Sequence, residues 1–186
     1  MIISGTMAYI ISFTLLVALS AWLVSTYLRL YHLYTRVQGA WARWSAATHA
    51  RNECLENFAQ VFAAHLSSDD VLARDIRRWA GDSQRVLSAM PVAPMDAPQD
   101  NMKRVERHLR RAVSHSVHAV ESSQLMRQDK RLQSMCDAMS VSLYKQDESA
   151  RFYGFSASQY NVALRGPGAK IIASIFGFVP VLRKIP

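Results

Sequence analysis

The chain has 186 residues, which is enough for one domain with a hydrophobic core and short for two. Half of its residues are apolar and its formal net charge is +8, yet no charged side chain occurs before Arg29. All 22 Lys and Arg and all 14 Asp and Glu therefore lie from that point on. This asymmetry is typical of membrane proteins and argues against a soluble domain over the whole length.

Residues 6–28 form the first predicted element, because this stretch contains no charge, no proline and no glycine. As a helix it would be roughly 34 Å long, enough to cross a hydrocarbon core of about 30 Å. Aromatic side chains of the kind found at membrane interfaces stand near its two ends: Tyr9, Trp22, Tyr27 and Tyr31. The pattern predicts an uncleaved transmembrane anchor.

The cations beside this anchor predict its orientation. Arg29, Arg36 and Arg43 crowd its C-terminal flank. By the positive-inside rule the N-terminus lies outside and residues 29–186 lie in the cytoplasm, with the protein in the cell (inner) membrane.

A cleaved leader is the alternative to an anchor, because the small residues Ala18 and Ser20 precede Ala21. The missing basic start and the length of the apolar run count against it. Cys54 and Cys136 are expected to be free thiols, which fits a reducing compartment. Both fall on predicted helices that could be neighbours, so a disulfide stays open.

The chain after the anchor is predicted to be helical, with apolar residues at spacings of three and four. The first helix continues from the anchor, and its inner seam is Val37, Trp41, Trp44, Thr48, Arg51, Leu55, Phe58 and Phe62. After a break at residues 67–70, a second helix over about 69–90 follows. Its inner residues are Leu72, Ile76, Trp79, Val86 and Met90.

Residues 90–100 are the clearest loop of the chain, with three prolines, and Asp96 or Asp100 can cap a third helix. The apolar line of that helix is Val105, Leu109, Val113, Val117 and Val120. A fourth, long helix begins after residues 122–123 and ends at Gly166. Its inner residues are Leu132, Met135, Met139, Leu143, Gln146, Ala150, Tyr153, Ala157, Tyr160 and Leu164.

These elements predict an all-α fold, in which an N-terminal transmembrane helix precedes an antiparallel four-helix bundle with long first and last helices. The predicted divisions are an extension at 1–5, the anchor at 6–28, the bundle at 29–168 and an apolar and basic tail at 169–186. Four antiparallel helices return the tail to the end where the chain leaves the membrane. The tail can lie at the bilayer interface, with Lys170, Arg183 and Lys184 on lipid phosphates, or it can cover the base of the bundle.

No catalytic grouping stands out in the sequence. His115, His118 and Glu121 follow one another at spacings that drift off one helix face, so we interpret them as solvated residues. Tyr153 and Tyr160 occupy successive seam positions and are interpreted as packing residues. Phosphate-binding loops, Cys-x-x-Cys and His-Glu-x-x-His motifs do not occur. The sequence predicts a protein that is not an enzyme and has no cofactor and no metal.

Cations cluster on the second and third predicted helices. They could contact anionic lipid headgroups or an acidic protein, whereas the interleaved aromatics of a nucleic-acid surface are missing. They could also be the solvated side of a bundle, partly paired with Asp75, Asp82 and Glu106. Helix two contributes Arg74, Arg77, Arg78 and Arg85. The candidate anionic-contact residues are Lys103, Arg104, Arg107, Arg110 and Arg111.

Short motifs at both ends of the soluble part follow a known pattern. Val37–Trp41 reads Val-Gln-Gly-Ala-Trp after the anchor, and a Tyr-Asn pair lies near the end, followed by a proline turn and a Phe-Gly-Phe element. The pattern resembles the LemA family, although Gly154 replaces the asparagine of a first Tyr-Asn pair and Glu56 replaces a proline. The resemblance implies a membrane-tethered helical bundle and no catalytic activity. The matching residues, expected to pack, are Trp41, Arg51, Asn57, Tyr153, Tyr160, Asn161, Phe176, Gly177 and Phe178.

The sequence therefore predicts a non-enzymatic, single-pass membrane protein of the LemA type that serves as a tethered helical scaffold or adaptor. Its expected partners are the lipid bilayer and an anionic lipid or acidic protein, with no nucleic acid. A homo-oligomer is left open. The alternative is a secreted or periplasmic helical binding protein with a cleaved leader.

Overall fold

The structure, a computed structural model, describes residues 2–65, 71–90 and 99–181. Over these residues the chain is all-helical, as predicted. The helices are α1 Ile2–Ala63, α2 Val71–Ser88, α3 Gln99–Ser122, α4 Gln124–Gln128, α5 Lys130–Ala163 and α6 Pro167–Phe176. Several predicted features lie outside the described residues: the break at 67–70, the loop at 91–98 with Asp96, and Arg183 and Lys184.

α1 is one helix of 62 residues, so the predicted anchor and the first seam helix form a single element. At about 1.5 Å per residue it is roughly 93 Å long. Within the described part of the chain it is the one helix that is long and apolar enough, by length and composition, to cross a membrane. In the part of the chain that the structure describes, no residue of the most apolar stretch of this helix is buried.

α1 packs along α5, and its other partners are α2 and α6. The ring centroids of Tyr34 and Tyr160 are 5.7 Å apart, and Arg51 Nη1 lies 2.8 Å from Gln146 Oε1. Tyr34 of α1 therefore lies against the C-terminal part of α5, and Arg51 lies against its middle. α3 packs on α2 and on the short α4.

Two apolar cores lie along these helices, and every predicted seam residue of α1 is buried. The first core consists of Leu30, Val37, Ala40, Trp41, Trp44, Leu87, Met102, Tyr153, Ala157, Tyr160, Leu164, Ala169, Ile172 and Val181. The second core consists of Leu55, Phe58, Ala59, Phe62, Ala73, Ile76, Ala80, Leu109, Ala112, Val113, Val120, Met126, Leu132 and Met139.

The inner face of α2 differs from the prediction. Of the five predicted residues only Ile76 is fully buried, and the others are half-buried. The buried line runs through Ala73, Ile76, Ala80, Ser83 and Leu87. The small side chains in this line let α2 approach its neighbours closely, so the larger Trp79 and Val86 flank the contact instead of filling it.

The fourth predicted helix is interrupted near its start. Ser123 caps α4, and Asp129 ends it and caps α5 by accepting hydrogen bonds from the backbone N–H groups of Arg131 at 2.7 Å and Leu132 at 3.3 Å. These bonds, with His65 at 2.6 Å, lower the pKa of the Asp129 carboxyl below its ordinary value. The sequence signals this break only by the polar residues 127–131, which separate the buried Met126 from the buried Leu132.

Candidate functional site

A buried polar cluster separates the first core from the second. Arg51 of α1 is fully buried, and its guanidinium donates to both carboxylate oxygens of Glu106 on α3, at 2.5 and 2.7 Å. This two-pronged geometry is the strong form of an ion pair and matches the planar fork of arginine to the carboxylate.

The remaining members of the polar cluster come from three helices. Arg51 also donates to Gln146 of α5 at 2.8 Å, to its neighbour Asn52 at 2.8 Å and to Ser83 of α2 at 3.1 Å. Ser83 in turn donates to Glu106 at 3.1 Å. One guanidinium thus connects α1, α2, α3 and α5, which fixes their relative register because a shift of one helix would leave buried charge unpaired.

The position of Glu106 corrects the expectation that it pairs with surface cations. It is nine-tenths buried or more and belongs to the polar cluster. Met102, Glu106 and Leu109 follow one another at spacings of four and three, so Glu106 lies on the inner face of α3. This spacing is the sequence feature that indicates the inward position of Glu106.

Asn57 also departs from the expectation, since its side chain is exposed and takes no part in a core. Six residues from Arg51 correspond to a rotation of about 120° away from it around the helix. The asparagine beside the buried arginine is Asn52, which also donates to Ser83 at 3.3 Å.

Three buried polar atoms have no hydrogen-bond partner among the described residues: Trp44 Nε1, Gln146 Nε2 and the Tyr153 hydroxyl. The Trp44 and Tyr153 side chains both border Trp41, with ring centroids 4.9 and 5.6 Å from it. Burial raises the pKa of Tyr153 to about 12. Tyr153 and Trp41 are thus packing residues, as the seam predicted.

A second polar arrangement, the tail clamp, joins the end of α5 to the chain after α6. The Tyr160 hydroxyl donates to the Val179 carbonyl at 3.1 Å. The Asn161 amide donates to the Val181 carbonyl at 2.7 Å and accepts from the Val181 N–H at 2.9 Å. Tyr160 and Asn161 therefore provide hydrogen-bond partners for backbone polar groups of Val179 and Val181. Burial raises the pKa of Tyr160 to about 12.

The Phe-Gly-Phe element turns the chain between α6 and the tail clamp. Gly177 has φ 70°, a left-handed conformation that glycine adopts without strain, and it ends α6. Phe176 and Phe178 pack on Tyr27, with ring centroids at 4.7 and 5.8 Å, and Phe178 also approaches Tyr34 at 6.2 Å. Phe176 is nevertheless more than half exposed.

The five candidate anionic-contact residues of α3 are all exposed. Arg110 pairs with Asp147 of α5 at 2.7 Å, so part of this set stabilises the contact between helices. On α2, Arg85 pairs with Asp82 and Arg78 lies over the Trp79 ring at 5.2 Å. The cations of α2 and α3 named here are therefore exposed to solvent, and some of them contact neighbouring acidic or aromatic side chains.

The histidines and cysteines hold scattered positions. His108 stacks on Trp79 at 4.5 Å, while His115, His118 and Glu121 line an exposed depression on α3. Within the described ranges there is no group of three or more His, Cys, Asp or Glu side chains that could hold a metal ion. Cys54 and Cys136 are free, as predicted.

Comparison with family models, with curated proteins and with solved structures gives no match to this chain.

Proposed function

We propose that the protein is a non-enzymatic, single-pass membrane protein of the LemA type that presents a helical scaffold or adaptor at the membrane surface. The observation that carries this proposal is that α1 has two parts with different surroundings. Its first part exposes large apolar side chains such as Phe13 and Leu16, and the same helix supplies the seam of both cores from Leu30 to Phe62. A folded body is therefore rigidly continuous with a membrane-length apolar rod.

For the folded body we propose an antiparallel four-helix bundle of α1, α2, α3 and α5. Support comes from the opposite numbering of the α1 and α5 contacts and from the polar cluster, to which each of the four helices contributes. Long first and last helices with a central polar layer are typical of bundles whose register must be unique.

The proposed orientation places the bundle in the cytoplasm of a cell (inner) membrane and the N-terminus outside. Arg29, Arg36 and Arg43 support it through the positive-inside rule. Arg36 and Arg43 both lie over the Phe152 ring, at 5.7 and 5.5 Å, so these cations are held on the bundle surface beside the anchor. Free thiols at Cys54 and Cys136 fit the same compartment.

The proposed partners are the bilayer and an anionic lipid or acidic protein at the exposed α3 cations, and a homo-oligomer is left open. In this proposal, Arg51 and the tail clamp match family motifs because they hold the fold together. Arg51 is bonded to Glu106, and the tail clamp is bonded to the backbone of Val179 and Val181. No cofactor, metal or nucleic acid has a role in it.

The alternative, a secreted or periplasmic binding protein, makes a different prediction about the mature N-terminus. Cleavage before Ala21 would cut α1 within the helix and leave Ala21 at the new terminus. Mass spectrometry of the protein purified from membranes should find Met1 or Ile2. A mature chain that begins at Ala21 would refute the anchor and support the alternative.

The scaffold role is tested by photocrosslinking in native membranes from position 107, in the middle of the α3 cations. A specific neighbour should be captured, and capture should be lost when Lys103, Arg104 and Arg111 become alanine. Replacement of Arg127 at the end of α4 and of Lys130 and Arg131 at the start of α5 is the matched control and should leave capture intact. Equal loss in both variants would contradict a site on α3.

A further inference from the structure

α6 leaves part of its apolar surface uncovered. Gly168, Ala169 and Ile172 are buried against α1, whereas Ile171 and Ile175, one turn apart, are 53% and 66% exposed. Phe176 and Val179 at its end are exposed by 56% and 49%. A helix of ten residues with this much exposed apolar surface is poorly suited to water.

The contacts of α6 place it beside the anchor. A Cβ atom at Gly168 would overlap the indole of Trp22, so the α6 backbone lies directly against that ring. Trp22 stands seven residues before Arg29, which corresponds to about 10 Å on the membrane side of the first charged residue. The start of α6 is therefore at the depth of the apolar end of the anchor.

α6 crosses α1 instead of running along it. Gly168 meets Trp22 and Phe176 meets Tyr27, positions about 7.5 Å apart along α1, although these two residues are about 12 Å apart along α6. If α1 stands upright in the bilayer, α6 is therefore strongly inclined to the membrane normal.

The surfaces around α6 have the distribution of an interfacial helix. At the same level α1 exposes Trp22, Val24 and Leu28, so the apolar surface of α6 continues that of the anchor. The polar residues of α6, Lys170 and Ser174, are one turn apart and both exposed. Two isoleucines on one side of a helix with a lysine on another is the pattern of helices that lie in the interface.

We propose that α6 is a second membrane contact, which lies in the leaflet bordering the helical bundle with Ile171 and Ile175 among the acyl chains, while the long side chain of Lys170 extends toward the lipid phosphates. The proposal rests on the proposed function, since it requires α1 to be the anchor. It commits to lipid over a protein partner, because the exposed side of α6 is continuous with the lipid-facing side of α1. The tail clamp then fixes the bundle relative to the bilayer plane.

The test is depth-dependent fluorescence quenching on the full chain in phosphatidylcholine–phosphatidylglycerol vesicles. Single cysteines at positions 171 and 175, in a Cys54→Ala/Cys136→Ala background, carry an environment-sensitive fluorophore. Lipids with spin labels high on the acyl chain act as the membrane quencher, and iodide acts as the aqueous one. Position 16 is the anchor control. Position 141 is the matched control on α5, because Val141 is 53% exposed, as Ile171 is.

We expect the lipid quencher to act on positions 171 and 175 at least about threefold more strongly than on position 141, with a depth of roughly 5–10 Å below the phosphates. Quenching at 16 but not at 171 and 175 would overturn the α6 contact and leave the anchor intact. Protection of 171 and 175 from both quenchers would indicate a covering protein and also overturn it. Absence of lipid quenching at 16 would overturn the anchor and the α6 contact together.

Discussion

At the level of single residues, Tyr153 and Tyr160 form a natural comparison. Both are fully buried, seven residues apart on α5, and both have a raised pKa of about 12. Among the described residues, only the Tyr160 hydroxyl of the two has a partner, the Val179 carbonyl. The two residues are equally buried but differ in hydrogen bonding. Comparing them therefore separates what the packed ring contributes to stability from what the hydroxyl contributes.

Tyr160→Phe should lower the free energy of unfolding by about 1 kcal/mol, because it leaves the Val179 carbonyl without its donor. Tyr153→Phe should have an effect near zero or slightly stabilising, since it removes a buried hydroxyl that has no partner. Tyr160→Ala should cost about 3 kcal/mol through lost burial and a cavity. Urea unfolding in detergent micelles, followed by circular dichroism, measures all three. Equal losses for the two Tyr→Phe variants would contradict the tail clamp.

The ion pair between Arg51 and Glu106 gives a second prediction at this scale. Arg51→Ala should destabilise the protein by about 3–5 kcal/mol, because the Glu106 carboxylate would stay buried without its counter-charge. The double variant Arg51→Met/Glu106→Leu should recover most of that loss, since it removes both charges from the core.

Arg104→Ala is the control for the loss of a cation, and as an exposed residue it should change stability by less than about 0.5 kcal/mol. An Arg51→Ala variant as stable as Arg104→Ala would show that the polar cluster does not hold the helices together.

The residue scale also shows what sequence reasoning could reach. Arg51 was placed correctly because it continues an apolar seam at spacings of four and three. Glu106 is expected from the sequence to pair with surface cations because it sits among five of them on α3, and their charge hides its inward position. Asn57 was placed by analogy with a motif and not by its position on the helix, and it faces solvent.

At the level of whole elements, the start of α5 depends on one carboxylate. Asp129 caps α5 and contacts His65 at the end of α1, so it joins two helices at the point where the chain turns. Because its pKa is lowered in the folded state, its contribution is present above the ordinary aspartate pKa and is lost as the pH falls through the lowered value.

Protection of the Leu132 amide from hydrogen exchange should therefore fall under acid conditions while the middle of α5 stays protected. In an Asp129→Asn variant the amide oxygen can still cap the helix but does not titrate, so this pH dependence should disappear. NMR or mass spectrometry of the full chain in micelles measures the effect. A pH dependence that persists in Asp129→Asn would assign it to another group.

Elements with long periodic patterns were predictable, whereas their junctions were not. α1 and α5 follow from unbroken three-and-four spacing over many turns. The break at Asp129 lies in a short polar gap between the buried Met126 and Leu132, which is too short to distinguish from an exposed turn. The inner face of α2 is set by small residues that hydrophobic patterns underweight. The packing of α6 on Trp22 and Tyr27 depends on contacts between residues more than 140 positions apart, which no local pattern contains.

At the level of the whole molecule, rigid continuity is the central feature. One helix is exposed and apolar near its start and buried in two successive cores further on, with a polar cluster between those cores. With α1 as the proposed anchor, any displacement of this helix in the bilayer would be transmitted directly to the folded body. A tethered scaffold with a fixed orientation to the membrane needs one continuous helix between the anchor and the folded body. A flexible linker at that point would let the folded body reorient.

The central claim is that α1 fixes the chain in the bilayer. Alkaline carbonate extraction of membranes that contain the intact chain tests it most directly, because this treatment releases peripheral proteins and leaves integral ones in the pellet. We predict that the full-length chain stays in the pellet, together with an integral marker protein. Recovery of the uncleaved chain in the supernatant, while the marker stays behind, would contradict the account.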